Sequence, residues 1–374
     1  MANTLTGLIP IVLASAQQVG RELVGHLPSV TLFANADRVA KDQTVALPFA
    51  PAASASDWSP SMTLPNPDGE TIEARNLVID TARGASFAWD GNEELSVNSA
   101  AAEIFQNQIT QRMRTLANEA EAAIQLAGRL AASRATGTSG TAPFASDLSA
   151  AAAARRILND NGAGPQRSVV CSSAAAEKLF TLMNINSSRV SAADQLSTAG
   201  ILYQAPGLDF RQTGQAGLVT AGTGASYLAN GAKSVGATSI DVDTGSGTVL
   251  AGDCVTFAGD SEVYVVKTAL ASGTLVLQEP GLRKALADNT AMTVKASFTP
   301  SLVYSRDAIV FASRLPKVPS LGDGSIGGFV ATDPLSNISF DVAVYGGKRK
   351  VSVEIVWQYG IKVAEPKNVA MILG

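Results

Sequence analysis

Apolar and polar positions change period several times along the chain, and each change marks an element. Between Ser99 and Arg134, Ile109, Met113, Leu116, Ala120, Ile124, Ala127 and Leu130 step by three or four residues and draw one apolar stripe on a helix. The segment is dense in strong helix formers and has no proline and a single glycine, Gly128. Asn98 or Ser99 can accept from the free amides at its start, and Glu103 suits the positive end of its dipole. At 1.5 Å per residue it would be roughly 50 Å long, a strut for other segments to lie across. Gln106, Gln111, Arg114, Glu119 and Arg129 fall on its other faces, a solvated or wall-facing surface.

Ahead of the strut, residues 1–42 read as an arm with a short helix over Ile9 to Leu23, docked on its own domain or on a neighbouring subunit. Residues 43–50 and 70–79 read as two strands. Pro48, Pro51, Pro60, Pro65 and Pro67 blunt their edges, and Pro67-Asp68-Gly69 supplies a turn. A hairpin this long is marginal alone in water. Trp58, Met62 and Leu64 near its tip need cover, either from another subunit or from a fold back onto the chain's own core.

After the strut, Gly137 to Ala142 reads as a flexible joint. Residues 145–215 then alternate: a capped helix ended by Asn161-Gly162, a strand over Arg167 to Cys171, and a second helix carrying Glu177. Residues 221–299 lose helical period and give five short strand candidates, TSIDV, CVTF, EVYVV, TLVL and AMTVKA, punctuated by glycines. That pattern suggests a small barrel or sandwich, inserted between flanking helix-and-strand sequence. At the end, Ile338 to Val344 and Val351 to Val363 each alternate apolar with polar residues, joined through Gly346-Gly347-Lys348-Arg349-Lys350. This is a hairpin with one buried face, expected to complete the 145–215 domain.

Composition narrows the chemistry. Charged residues make up 16% and the net charge is −4, which argues against a dedicated nucleic-acid binder. The longest early apolar run, Leu8 to Ala14, is too short to span a bilayer, and no basic residue precedes it as in a secretory signal. Cys171 and Cys254 lie in separate segments, which argues against a disulfide and fits a reducing cytoplasm. His26 has no acid or nucleophile near it in sequence and reads as a surface or half-buried residue. Gly322, Gly324 and Gly327 match GxGxxG formally, but prolines precede them and β-like sequence follows, so the stretch reads as a loop. Asp241, Asp243, Asp253, Asp260 and Glu262 read as turn chemistry, without a calcium-loop pattern. No motif for an enzyme, cofactor or metal site occurs. Lys348, Arg349 and Lys350 form the densest basic spot: a solvated turn, or a charge facing packaged nucleic acid or a neighbour's acidic face.

Three phrases carry a family resemblance: FAWDGNEELSVNSAAAEIF into the strut, SLVYSRDAIVFASRLPKVP after the β-rich stretch, and VWQYGIKVAEPKNVAMIL near the end. With the order of elements, they make the chain similar to the major capsid proteins of tailed bacteriophages with the Hong Kong 97-like fold. It resembles most the short-tailed-phage coat proteins that carry an inserted β-barrel. The resemblance implies an α+β fold with an N-terminal arm (1–42), an E-loop with flanking strands (43–90) and a peripheral domain with the spine helix (91–144). It further implies an axial α/β domain in two parts (145–220 and 300–374) around an inserted β domain (221–299).

Implied by the same resemblance are self-assembly into pentamers and hexamers of an icosahedral head around double-stranded DNA, and assembly in a bacterial cytoplasm. A scaffolding protein, a portal and a decoration protein would be partners; no membrane and no cofactor would be involved. Trp58, Met62 and Leu64 would form the assembly interface, and Lys348, Arg349 and Lys350 an inner-face basic turn. Rival readings are an encapsulin-like nanocompartment shell, which shares the fold, and, further off, a hydrolase or a surface-adhesion or tail protein.

Overall fold

The structure is a computed structural model describing residues 25–49, 60, 73–93, 101–186, 202–205, 207–320, 322–332 and 338–374. It is a mixed α+β architecture, with few helices and many strands. The strut is helix α1, Ala101–Ala131. Ile109, Met113, Leu116, Ala120 and Ile124 are all buried, as the stripe requires, while Ala127 and Leu130 are half-buried. Gly128 explains itself by approach: a Cβ there would sit 2.6 Å from Leu302 Cδ1.

Helix α1 lies across two sheets. The smaller contains β1 (Thr31–Val39), β16 (Ile309–Pro316), β19 (Lys350–Val363), β18 (Ser339–Gly347) and β17 (Gly327–Thr332) in that order, with β4 (Thr81–Asp90) also paired to β19. Its core is aromatic: Trp357, with no exposed surface, meets Phe311, Phe340 and Tyr359 at ring separations of 5.1–5.9 Å.

The alternation over 351–363 holds, with Val353, Ile355, Trp357 and Tyr359 all buried. The expected assignment of this hairpin does not hold. It joins β4 and β16, and does not complete the sheet of residues 145–215. Period-2 patterning says which face is apolar but not which sheet will cover it.

The larger sheet runs β11 (Cys254–Phe257), β14 (Ala291–Val294), β9 (Tyr227–Ala229), β10 (Ser239–Asp243), β13 (Thr274–Leu277), β12 (Val263–Ala271), β5 (Arg134–Gly137), β20 (Val369–Leu373), β15 (Pro300–Ser305), β6 (Arg167–Cys171), β8 (Leu208–Gln212), β7 (Tyr203–Ala205). Helices α2 (Ser149–Asp160) and α3 (Ser173–Asn186) supply the small apolar residues that cover its β6–β15–β20 region. The helix, expected to run to Arg134, ends at Ala131, and Arg134–Gly137 form strand β5, inserted between β12 and β20.

At the other end of the sheet, β11 also pairs with β12, so β11, β14, β9, β10, β13 and β12 close into a six-stranded barrel. Five of those strands match the candidates in 221–299. The sixth, β9, is only three residues long and has no alternation to reveal it. The barrel has its own core, including Ile240, Val255, Phe257, Tyr264, Leu275 and Leu277.

Candidate assembly surfaces and the arginine cavity

Among the described residues, strands β2 (Thr44–Phe49) and β3 (Glu73–Val78) pair only with each other, from Thr44 opposite Val78 to Phe49 opposite Glu73. The ribbon is fastened near its base. Leu47, Leu77 and Ile79 pack on Val310 and Ala312 of β16. Arg75 Nη1 donates to Glu365 Oε1 at 2.7 Å. Gly360 of β19 lets the ribbon approach, since a Cβ there would lie 2.2 Å from the Val78 carbonyl oxygen. Trp58, Met62 and Leu64 lie outside the described residues.

The basic residues Lys348, Arg349 and Lys350 are all exposed where β18 turns into β19. Lys348 and Arg349 form the connection, with Arg349 at φ 57°. The GxGxxG stretch is a loop: Asp323 accepts the Ser325 amide, and the strand β17 follows where a nucleotide fold would need a helix.

The acids of residues 241–262 serve local structure or the barrel's seam. Asp241 accepts from Lys233 Nζ at 2.7 Å, Asp253 from the Leu250 amide at 2.7 Å, and Asp260 from the Tyr264 hydroxyl at 2.6 Å. Glu262 is different. It takes Arg134 Nη1 at 2.9 Å and Arg156 Nη2 at 2.7 Å, binding the start of β12 to β5 and α2. Arg134 is 1% exposed, so this pair ties the barrel to the main sheet through a buried charge.

His26 overturns the sequence expectation. It is fully buried, at the start of the described chain. Gln125 Nε2 donates to the Pro300 carbonyl, which turns its Oε1 towards the ring. His26 therefore donates from Nε2 at 2.5 Å, and its Nδ1 accepts from the Tyr304 hydroxyl at 2.9 Å. Glu121 accepts the His26 and Leu27 amides at 2.9 and 2.7 Å. The described part of the arm is thus locked to α1 and β15 of its own chain. His26 had no nearby acid in sequence because its partners stand 95 to 278 residues away.

Both cysteines are free and buried; burial pushes the Cys171 thiol up to about 12 and Cys254 higher still, away from thiolate chemistry. Among the described residues no group of three or more His, Cys, Asp or Glu side chains could hold a metal ion. No helix among them is long and apolar enough to cross a membrane.

A cavity of about 690 Å³ opens where β6 and β8 meet the turn at Arg306, and Arg167, Arg211, Arg306 and Asp209 line it. These residues are spread over 140 positions with no motif among them, so only the fold brings them together.

No protein-family model and no curated protein matches the chain. Among solved structures it is similar to the capsid of the cyanophage P-SCSP1u, at 13% identity over 92% of this chain and 86% of that one, with a TM-score of 0.46. It is similar to the capsid of Ralstonia phage GP4 at 9% identity over 92% and 86%, TM-score 0.46. It is also similar to a virus-like particle from Pyrococcus furiosus, at 8% identity over 98% of both chains, TM-score 0.44.

Proposed function

We propose that this chain is a structural shell subunit, the major capsid protein of a tailed bacteriophage. It self-assembles into the pentamers and hexamers of an icosahedral head that encloses double-stranded DNA. The observation that carries this reading is the β2–β3 ribbon, fastened at its base and continued by residues 50–72 with Trp58, Met62 and Leu64. A two-stranded ribbon is marginal by itself, so an extension of this length gains its cover from elsewhere. In this reading residues 43–90 form the E-loop, and the cover is the spine region of a neighbouring copy.

Contacts of that kind are heterologous and close into rings about an axis. Each need contribute only modest energy, because many linked contacts act together. Residues 91–144, with α1, form the peripheral domain; 145–220 with β15 and β20 form the axial domain, 221–299 an inserted barrel, and β16 to β19 belong to the smaller sheet beneath α1. Lys348, Arg349 and Lys350 face the packaged DNA, which needs charge but no sequence readout. A scaffolding protein, a portal and a decoration protein complete the list of partners, and the mature location is the virion.

The test is assembly. Trp58→Ala, or deletion of residues 51–67, is expected to leave a folded monomer that forms no shells. Normal particles from either variant in electron micrographs would refute the E-loop role. The contents of wild-type particles separate the two shell readings: DNA supports a phage head, and a protein cargo supports an encapsulin-like compartment.

A further inference from the structure

We propose that Asn230 is a site of self-modification, deamidating through the backbone amide of Gly231 with Asp288 as the proton acceptor. The sequence holds two Asn-Gly pairs, Asn161-Gly162 and Asn230-Gly231, and a glycine after asparagine leaves the attacking nitrogen unshielded by any Cβ. The fold treats the two pairs oppositely. Asn161 Nδ2 donates to the Lys367 carbonyl at 2.5 Å, which ties that side chain down. The Gly162 amide donates to the Asn159 carbonyl at 3.0 Å, an acceptor too weak as a base to take the proton. Asn230, on the turn leaving β9, is exposed, and among the described residues no hydrogen bond ties its side-chain amide. The Gly231 amide donates to Asp288 Oδ1 at 2.7 Å. A Cβ built on Gly231 would meet nothing within 4 Å, so nothing crowds this residue.

A carboxylate within hydrogen-bond reach of the proton it removes is placed as a general base. Its bond to the in-plane proton leaves the face of the amide free for attack. The Gly231 nitrogen bonds to Asn230 Cγ while its proton passes to Asp288. The Cγ–Nδ2 bond then breaks, Nδ2 takes that proton, and ammonia leaves a cyclic succinimide. Solvent water opens the ring at either carbonyl, giving aspartate or isoaspartate, so one water enters and one ammonia departs. Neighbouring bonds hold Asp288 against its target. Its Oδ2 accepts Asn289 Nδ2 at 2.9 Å, and the Asn289 amide donates to the Ala229 carbonyl at 2.8 Å. The product sets a second carboxylate opposite Asp288 at the end of the three-residue β9, so the barrel gains a charge repulsion with age. The reaction needs only the folded chain and water, and is independent of whether the chain forms a shell.

The test is peptide mass spectrometry on the full chain aged in mildly alkaline buffer, native and in guanidinium chloride, measuring acid formed at each Asn-Gly pair. In the native protein Asn230 is expected to convert about tenfold faster than Asn161, and faster than Asn230 itself does in denaturant. In denaturant the two pairs should react alike. Asp288→Asn should slow Asn230 several-fold in the native chain and leave its rate in denaturant unchanged. An Asn161 that stays slow in this variant shows that the variant is folded; if it unfolds, the wild-type comparison of native with denatured chain decides alone. The proposal is overturned by equal native rates at the two pairs, by a gap between them that persists in denaturant, or by an Asn230 slower in the native chain than in denaturant. It is equally overturned if Asn230 of a folded Asp288→Asn chain converts at the wild-type rate.

Discussion

The single histidine makes the arm's attachment sensitive to acid. Burial holds His26 below its ordinary value of 6.5, overcoming the upward pull of the Glu121 charge and of the Gln125 hydrogen bond. Glu121 and Gln125 reach it from α1 and Tyr304 from β15, while Arg211 adds a positive charge from β8 close to Glu121 and Tyr304. The unfolded chain takes up this proton first, so His26 costs no stability well above pH 6.5 and lowers it as pH falls further. Melting temperature should therefore drop between about pH 7.5 and about pH 5.5. His26→Gln should be less stable at neutral pH but flatter across that window, and parallel curves for the two proteins would refute the assignment. None of this was legible in the sequence: the neighbours of a buried polar residue are set by tertiary contacts, and sequence distance says nothing about them.

Elements with a strong internal period were legible, and short or pattern-free ones were not. Helix α1, the β18–β19 pair and the two strands of the ribbon follow from spacing and proline placement. Strand β9 has three residues, too few for two cycles of alternation, and β5, RATG, carries a single apolar side chain and ends in glycine, so no pattern marks it. Nor could alternation foresee that β19 would need a glycine at residue 360 to admit the ribbon. Gly360→Ala should cost about 1–3 kcal/mol through overpacking against Val78 and Leu77. The loss should be local. Hydrogen exchange should quicken at Thr44–Leu47 and at Leu77 while the β18–β19 ladder stays protected; uniform loss across both would show that the ribbon's seat is not a separate unit.

At the scale of the molecule, the barrel's own core predicts that residues 221–299 fold when expressed alone. A β-type circular dichroism spectrum and dispersed amide resonances are expected, and a disordered chain would count against an autonomous unit. In the full chain the seam matters more. Glu262→Ala would leave Arg134 buried beside the more distant Asp160, at 3.5 Å, and should destabilise the protein by about 3–5 kcal/mol, read by denaturant titration. The sequence showed that a β-rich stretch interrupts the chain. It did not show the seam, because Arg134 and Glu262 are 128 residues apart.

Closure of the barrel also has a consequence for life at high concentration. A sheet of twelve strands laid out flat would offer two raw margins where a second chain could stitch itself on. Here one margin curls round and is consumed by its own sixth seam, β11 against β12, so among the described residues fibrous growth is left β7 as its foothold on that sheet. Loosening that seam would reopen a sticky selvedge and divert ordered oligomers into tangles.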